Sequence, residues 1–336
     1  MTAGKPKRWA MIALAVLGVA LIAMPAAFQM FGRAPKGARM IKDFRPYMTA
    51  ARLSGYQTEM SQIDAGVREG GTKVAARLSG SPASGGQARF AASFPEFAEF
   101  DHQWSGIYPD MTGMLNTIQR NLGNYQAVAA LPSFKLFPWF FVIPGVILLG
   151  LLGLGAARPG WWRTIRCLLA ALGLGLVLAP AVFQMFSRAP KGGHMMTAFK
   201  TIETRARIER IQGYFGEMAA GQGAVQLELI PALQRSGLST SEIGAAYPGI
   251  TTFDDQWVHI LNDMTPMIGA MSDNVANYQA VAALPPFPLF PWFFVLPGLL
   301  VVGFAVAAGP RRARPTHDVT ASPNPNVRSS LPEGVT

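Results

Sequence analysis

The stretch NYQAVAALPSFKLFPWFFVIPG, residues 124–145, returns as NYQAVAALPPFPLFPWFFVLPG at residues 277–298. Nineteen of the 22 aligned positions are identical. Self-similarity at a fixed spacing governs how the remaining sequence is parsed, because it marks one structural unit written twice. Each copy ends in an aromatic-rich segment that leads into an apolar run. A second pair supports the same division: PAAFQMFGRAPKG at residues 25–37 returns as PAVFQMFSRAPKG at 180–192. The N-terminal apolar run is therefore read as a retained membrane helix and not as a cleaved leader, since its counterpart lies in mid-chain.

Half of the 336 residues are hydrophobic and only 14% are charged. Four uncharged runs account for the excess, and each is long enough to cross a bilayer as a helix. The sequence thus predicts an all-α integral membrane protein with four transmembrane helices in two tandem parallel repeats, each carrying a helical extracytoplasmic domain. The expected order is a cytoplasmic N-terminus (1–8), span one (9–31), outer helical domain one (32–135), span two (136–157), a cytoplasmic loop (158–166), span three (167–186), outer helical domain two (187–288), span four (289–309) and a disordered cytoplasmic tail (310–336). Lys5, Lys7, Arg8, Arg158, Arg163, Arg166, Arg311, Arg312 and Arg314 collect on one side, which the positive-inside rule assigns to the cytoplasm. The net charge of +10 follows these membrane boundaries, so lipid headgroups and not nucleic acid are its expected partners. The localisation that follows is the cell (plasma) membrane of a bacterium, with both termini inside.

Within the outer segments, Ile208, Ile211, Phe215 and Met218 form an apolar seam at helical spacing. Met40, Phe44, Tyr47 and Ala51 repeat the pattern, with Pro46 starting or kinking the helix. A Gly- and Ser-rich break follows at residues 79–86. Ser93 and Glu96 then have the spacing of a capping box.

The candidate functional residues fall into three groups. Asp101, Gln103 and Trp104 recur as Asp254, Gln256 and Trp257; an acid, an amide and an indole together make a contact set for a ligand or partner, and equally well cap a helix and fill a core. Pro138, Trp139, Pro144 and Gly145 recur as Pro291, Trp292, Pro297 and Gly298, which reads as interfacial anchoring with a Pro-Gly bend or hinge inside the span. Asp255, His259 and Asp263 share one helix face and carry metal-ligand chemistry. The first copy keeps only His102 and Asp110 at the corresponding ends, with Gly106 at the centre, so this face reads first as an ordinary solvated one.

Phosphate loops, zinc-protease motifs and nucleophile elbows are missing from the sequence, and the single Cys167 excludes an intramolecular disulfide. No Asp, Glu, Lys, Arg or His falls within the expected spans, which argues against an ion-coupled carrier. The expectation is a non-enzymatic, cofactor-free scaffold or interaction protein of the cell envelope, meeting a protein or lipid partner, with self-association left open. Residues 32–135 hold 12 basic and 8 acidic side chains, against 7 and 9 in residues 187–288. That difference favours distinct surfaces on the two copies. The alternative is a ligand sensor or transporter component with its site in a cleft between two outer domains.

Overall fold

The computed structural model describes residues 8–80 and 84–308. Lys5, Lys7, residues 81–83 of the Gly- and Ser-rich break, Arg311, Arg312, Arg314 and the tail 310–336 lie outside the described residues. Among the described residues every regular element is a helix. The first copy contributes α1 (Arg8–Ala27), α2 (Met30–Phe44), α3 (Ala50–Glu69), α4 (Ala75–Ser79), α5 (Ser84–Ser93), α6 (Pro95–Arg120), α7 (Leu122–Ala129) and α8 (Trp139–Ala157). The second contributes α9 (Trp162–Val182), α10 (Met185–Phe199), α11 (Arg205–Ala224), α12 (Ile230–Arg235), α13 (Thr240–Ala246), α14 (Pro248–Ala282) and α15 (Trp292–Ala307).

Four helical segments are long and apolar enough to cross a membrane: Arg8–Ala27, Phe134–Ala157, Pro159–Val182 and Phe287–Ala307. Large exposed apolar side chains concentrate on these helices and the residues flanking them; in the rest of the described chain only Leu227 and Val258 are of this kind. Such a continuous apolar surface is what lipid would cover. The spans pair within each copy, α1 with α8 and α9 with α15, through facing glycines. A Cβ placed on Gly145 would lie 2.9 Å from the Gly18 carbonyl oxygen, and one on Gly298 would lie 2.7 Å from that of Gly173. Small residues at such a crossing let the backbones approach closely.

Two helices begin or end away from the limits expected for their spans. The first helix stops at Ala27, because Gln29 takes a left-handed φ of 53°, and Gln184 does the same in the second copy. A run of uninterrupted apolarity hides such a break, since no Gly or Asn announces it. Helix α9 begins at Trp162, so Arg163 and Arg166 belong to it. Arg166 lies along the end of α15 and donates from Nε to the Ala305 carbonyl at 2.8 Å, which satisfies a helix C-terminus. Trp162 is buried against Gly155; Trp161 remains exposed.

Between the spans, the helices of the two copies interleave into one bundle with a shared core. Helix α3 lies along α14, α2 packs on the end of α14, α10 on α7 and α11 on α6. Glycines make the closest joints. Gly66 of the first copy meets Phe253 and the Gly249 carbonyl of the second, while its counterpart Gly221 meets Phe100 of the first. Phe100 and Phe253 stack at 6.1 Å with a 21° interplanar angle. Nearer the spans, Phe134 meets Phe287 at 5.9 Å, Phe137 meets Phe290 at 5.3 Å and Phe141 meets Phe294 at 4.8 Å. Side chains that touch their own counterparts mark a two-fold relation, so these rings trace the axis between the copies.

Polar contacts cross the same boundary. Arg33 donates to the Ala283 carbonyl at 2.8 Å and Arg188 to that of Ala130 at 2.9 Å, so each RAPKG motif caps the C-terminus of a helix in the other copy. Glu69 accepts from the backbone N–H groups of Gly249 and Ile250 at 2.7 and 3.2 Å. Glu228 of the second copy lies beside the Phe97 backbone at the start of α6. A carboxylate at a helix N-terminus also complements the helix dipole. This corrects the predicted capping box: Ser93 ends α5, and Phe94 precedes α6 without a side-chain cap. The carboxylate near the N-terminus of α6 is Glu228 from the other copy. The Met40 to Ala51 seam divides at Pro46, with Thr49 capping α3 by accepting from the Arg52 N–H at 3.2 Å.

The glycine crossings give a direct test. Gly145→Val is expected to lower the melting temperature in detergent by several degrees, in line with the roughly 1–3 kcal/mol of overpacking. Gly150→Val, on the same helix where an added Cβ meets nothing within 4 Å, should melt like wild type in the same differential scanning fluorimetry.

Candidate functional site

The twin FDxQW motifs lie on α6 and α14, where helical spacing turns Phe and Trp to the core and leaves the other side chains at the bundle surface. Trp104 is 4% exposed and Trp257 is 6% exposed. Trp104 packs against Phe100 at 5.6 Å and donates from Nε1 to Asp64 at 3.0 Å. Trp257 packs edge-on to Phe253 at 5.9 Å. Gln103 donates to Glu99 at 2.8 Å, and Asp254 accepts from Gln222 at 2.7 Å. Asp101 sits beside Gly71 in the π-helical turn at residues 70–74, and Gln256 is exposed. The two indoles are thus engaged by the shared core. The residue that carries the motif across the two-fold relation is the phenylalanine, Phe100 and Phe253, which sequence reasoning passed over as ordinary apolar filling.

The second group sits where the bundle meets the spans. Pro138 and Pro291 precede α8 and α15 as their N-caps. Trp139 and Trp292 are about half exposed and meet Phe31 and Phe186 edge-on, at 5.7 and 5.8 Å. Pro144 and Pro297 lie within the helices. Gly145 and Gly298 face the partner spans and permit the close crossings described above. Their role in this structure is close approach; a bend at the Pro-Gly pair would have to open that crossing.

Each copy is also pinned to the other by an ion pair. Arg52 of α3 meets Asp263 of α14 at 2.6 Å, and Arg207 of α11 meets Asp110 of α6 at 2.5 Å. The matching pairs differ in their surroundings. Tyr214 donates to the Asp110 carboxylate at 2.8 Å, and together with Arg207 it holds that carboxyl below its usual range. At the place equivalent to Tyr214, the first copy has Glu59, and at the place equivalent to Gly106 the second has His259. The ligand-capable atoms of Glu59, His259 and Asp263 lie within 4.8 Å of one another. Asp255, grouped with His259 and Asp263 by helical spacing, is exposed and stands outside this convergence, because the third side chain is supplied by α3 and not by α14. Burial raises Glu59 to about 7, with the Asp263 charge adding to the effect.

A small apolar cavity of about 30 Å³ lies between the copies, lined by residues including Met48, Phe199, Glu203, Met267 and Tyr278. It has room for about one water. Glu203 is 5% exposed, its Oε2 has no hydrogen-bond partner among the described residues, and desolvation raises it to about 8. Its first-copy counterpart is Met48, so the acid is a feature of one copy only. Tyr278 feels this charge but spends its hydroxyl on the Met196 carbonyl.

Comparison of the chain with protein-family models, curated proteins and solved structures finds no match.

A buried acid whose folded value lies above its ordinary 4.5 holds an extra proton in the folded state, so stability falls as pH rises from about 4.5 to about 8. The slope is at most roughly 1.4 kcal/mol per pH unit. Glu203→Met, which installs the first-copy residue, should raise the melting temperature at pH 8 while changing it little at pH 4. Thermal melts of both proteins across that pH range check the sign.

Proposed function

We propose that the chain is a multi-pass scaffold of the bacterial cell envelope. Its two repeats enter the plasma membrane in the same direction, with the axis between them along the membrane normal and both termini in the cytoplasm. The interleaved bundle then stands on the outer side and binds a protein or lipid partner through its surface. The observation that carries this reading is the reciprocal joint of Gly66 with Phe253 and Gly221 with Phe100. It consumes the surface between the copies, so what remains for recognition is the outside of one continuous body. Such a body suits docking better than capture of a small molecule in a cleft, because a cleft would have to part the stacked Phe100 and Phe253 rings.

The spans support the same reading. Their charged residues among the described positions are Arg8, Lys135, Arg163 and Arg166, all near segment ends. Buried acids or histidines of the kind that relay protons or bind coupling ions are not found within the described spans.

Orientation is tested with a phosphatase reporter that works only outside the cytoplasm. Inserted at Gly237, an exposed turn with φ of 97°, it should be active; fused after Thr336 it should be silent. The scaffold reading is tested by purifying the tagged protein from its native membrane in mild detergent. A stoichiometric protein or lipid is expected to co-purify and to be lost when charges on the bundle surface are reversed. A preparation carrying no partner, in a strain where the protein is needed for growth, would overturn it.

A further inference from the structure

Glu59 is a polar side chain with nothing to bind. It is 6% exposed, and its Oε2 has no hydrogen-bond partner among the described residues. Leaving a carboxyl in that condition is costly, since its desolvation goes uncompensated. A carboxylate oxygen of Glu59 lies within 4.8 Å of ligand-capable atoms of His259 and Asp263, which α14 presents one turn apart from the other copy. From the geometry we propose that Glu59, His259 and Asp263 form a binding site for a divalent transition-metal ion of the zinc class.

The counterpart place in the molecule shows what the same framework looks like without a site. There Tyr214 stands for Glu59 and Gly106 for His259, and the Tyr214 hydroxyl and Arg207 complete the Asp110 carboxylate. The replacements that separate the places include two that add a metal-ligand side chain, Glu59 for Tyr214 and His259 for Gly106. A drift of solvated surface residues would not be expected to put one of them in the core with an unused oxygen.

The donor set selects the ion. One imidazole and two carboxylates suit zinc and its first-row neighbours, whereas calcium and magnesium favour all-oxygen shells. Zinc bonds of about 2.0–2.2 Å set ligand atoms roughly 3.3–3.5 Å apart, so the present spacing of up to 4.8 Å needs only small rotations to close. Tyr56 donates to the Asp263 backbone carbonyl at 3.3 Å, which ties α3 to α14 beside the ligands. Arg52 holds one oxygen of Asp263 and leaves the other available. The Arg52 side chain is 50% exposed and can turn into water when a cation arrives. His259 is exposed, so the ion has a path in and a coordination position open to solvent.

The test uses the full chain in detergent, purified on a tag without histidines, stripped with a chelator and titrated with zinc chloride. Isothermal titration calorimetry and metal analysis after desalting should give one zinc per chain, and zinc should raise the melting temperature by a few degrees. Glu59→Tyr and His259→Gly each install the residue of the other copy, so each is expected to fold and to bind at least about tenfold more weakly. Asp255→Asn should bind as wild type does. Cobalt in place of zinc should give a visible d–d spectrum that disappears in both counterpart variants. Failure of wild type to take up zinc at about 100 µM would overturn the proposal, as would equal binding by wild type and His259→Gly. His259 lies at the surface, so that second comparison holds even if replacing buried Glu59 perturbs the fold.

Discussion

The structure depends on a reciprocal vacancy. Gly66 leaves a hollow in α3 that the first copy does not fill, and Gly221 leaves the same hollow in α11. Each is occupied by a phenylalanine from the other copy, and the two phenylalanines stack on one another between them. Close approach of backbone to ring gives dispersion contacts that a Cβ would forbid. With this joint in place, the carboxylates of Glu69 and Glu228 come within reach of the N-termini of α14 and α6, and Arg33 and Arg188 reach the C-terminal carbonyls of α14 and α7. The crossing therefore supplies the partners that the helix ends lack within their own copy.

The same geometry continues towards the spans. The rings of Phe134, Phe137 and Phe141 against Phe287, Phe290 and Phe294 form a buried column that leads from the bundle core to the apolar helices. Around this column Gln29 and Gln184 turn the chain from span to bundle through left-handed residues. That conformation costs an ordinary side chain about 1–2 kcal/mol, and both copies adopt it at the same place. Two close-packed regions, glycine crossings among the spans and ring stacking in the bundle, are joined without a flexible linker.

Much of this was legible in the sequence, and the remainder was hidden for identifiable reasons. Composition and the duplicated 22-residue stretch announce four apolar helices and a twofold plan, because membrane solvation and repetition both act locally along the chain. Interleaving leaves no local trace: the hydrophobic face of α3 reads the same whether α6 or α14 covers it. Caps supplied from the other copy were missed for that reason, and Ser93 was chosen in their place. His259 and Asp263 were visible as metal-ligand types, but their third partner was sought on the same helix because only helical spacing can be counted in a sequence. Glu59 and Glu203 could have been noticed by a different comparison. Each is an acid where the other copy has Tyr214 or Met48, and a polar residue replacing a large aromatic or apolar counterpart marks a changed environment.

Interleaving also imposes an order on how the molecule comes into being. The ribosome delivers the first copy while its hollows, bare helix ends and buried acid are still without partners, and Asp263 follows Arg52 by 211 residues. Contacts so distant in sequence are reached late. The first two apolar helices must therefore carry an unfinished bundle until the second pair has been made, and α3 must stay open for a helix not yet made. Chains whose unfinished half presents such a surface are prone to join a neighbouring chain instead. Here the nearest competitor for each hollow in the first copy is the same segment of another nascent molecule, and the short link between α8 and α9 favours the correct outcome by keeping the second copy at high local concentration.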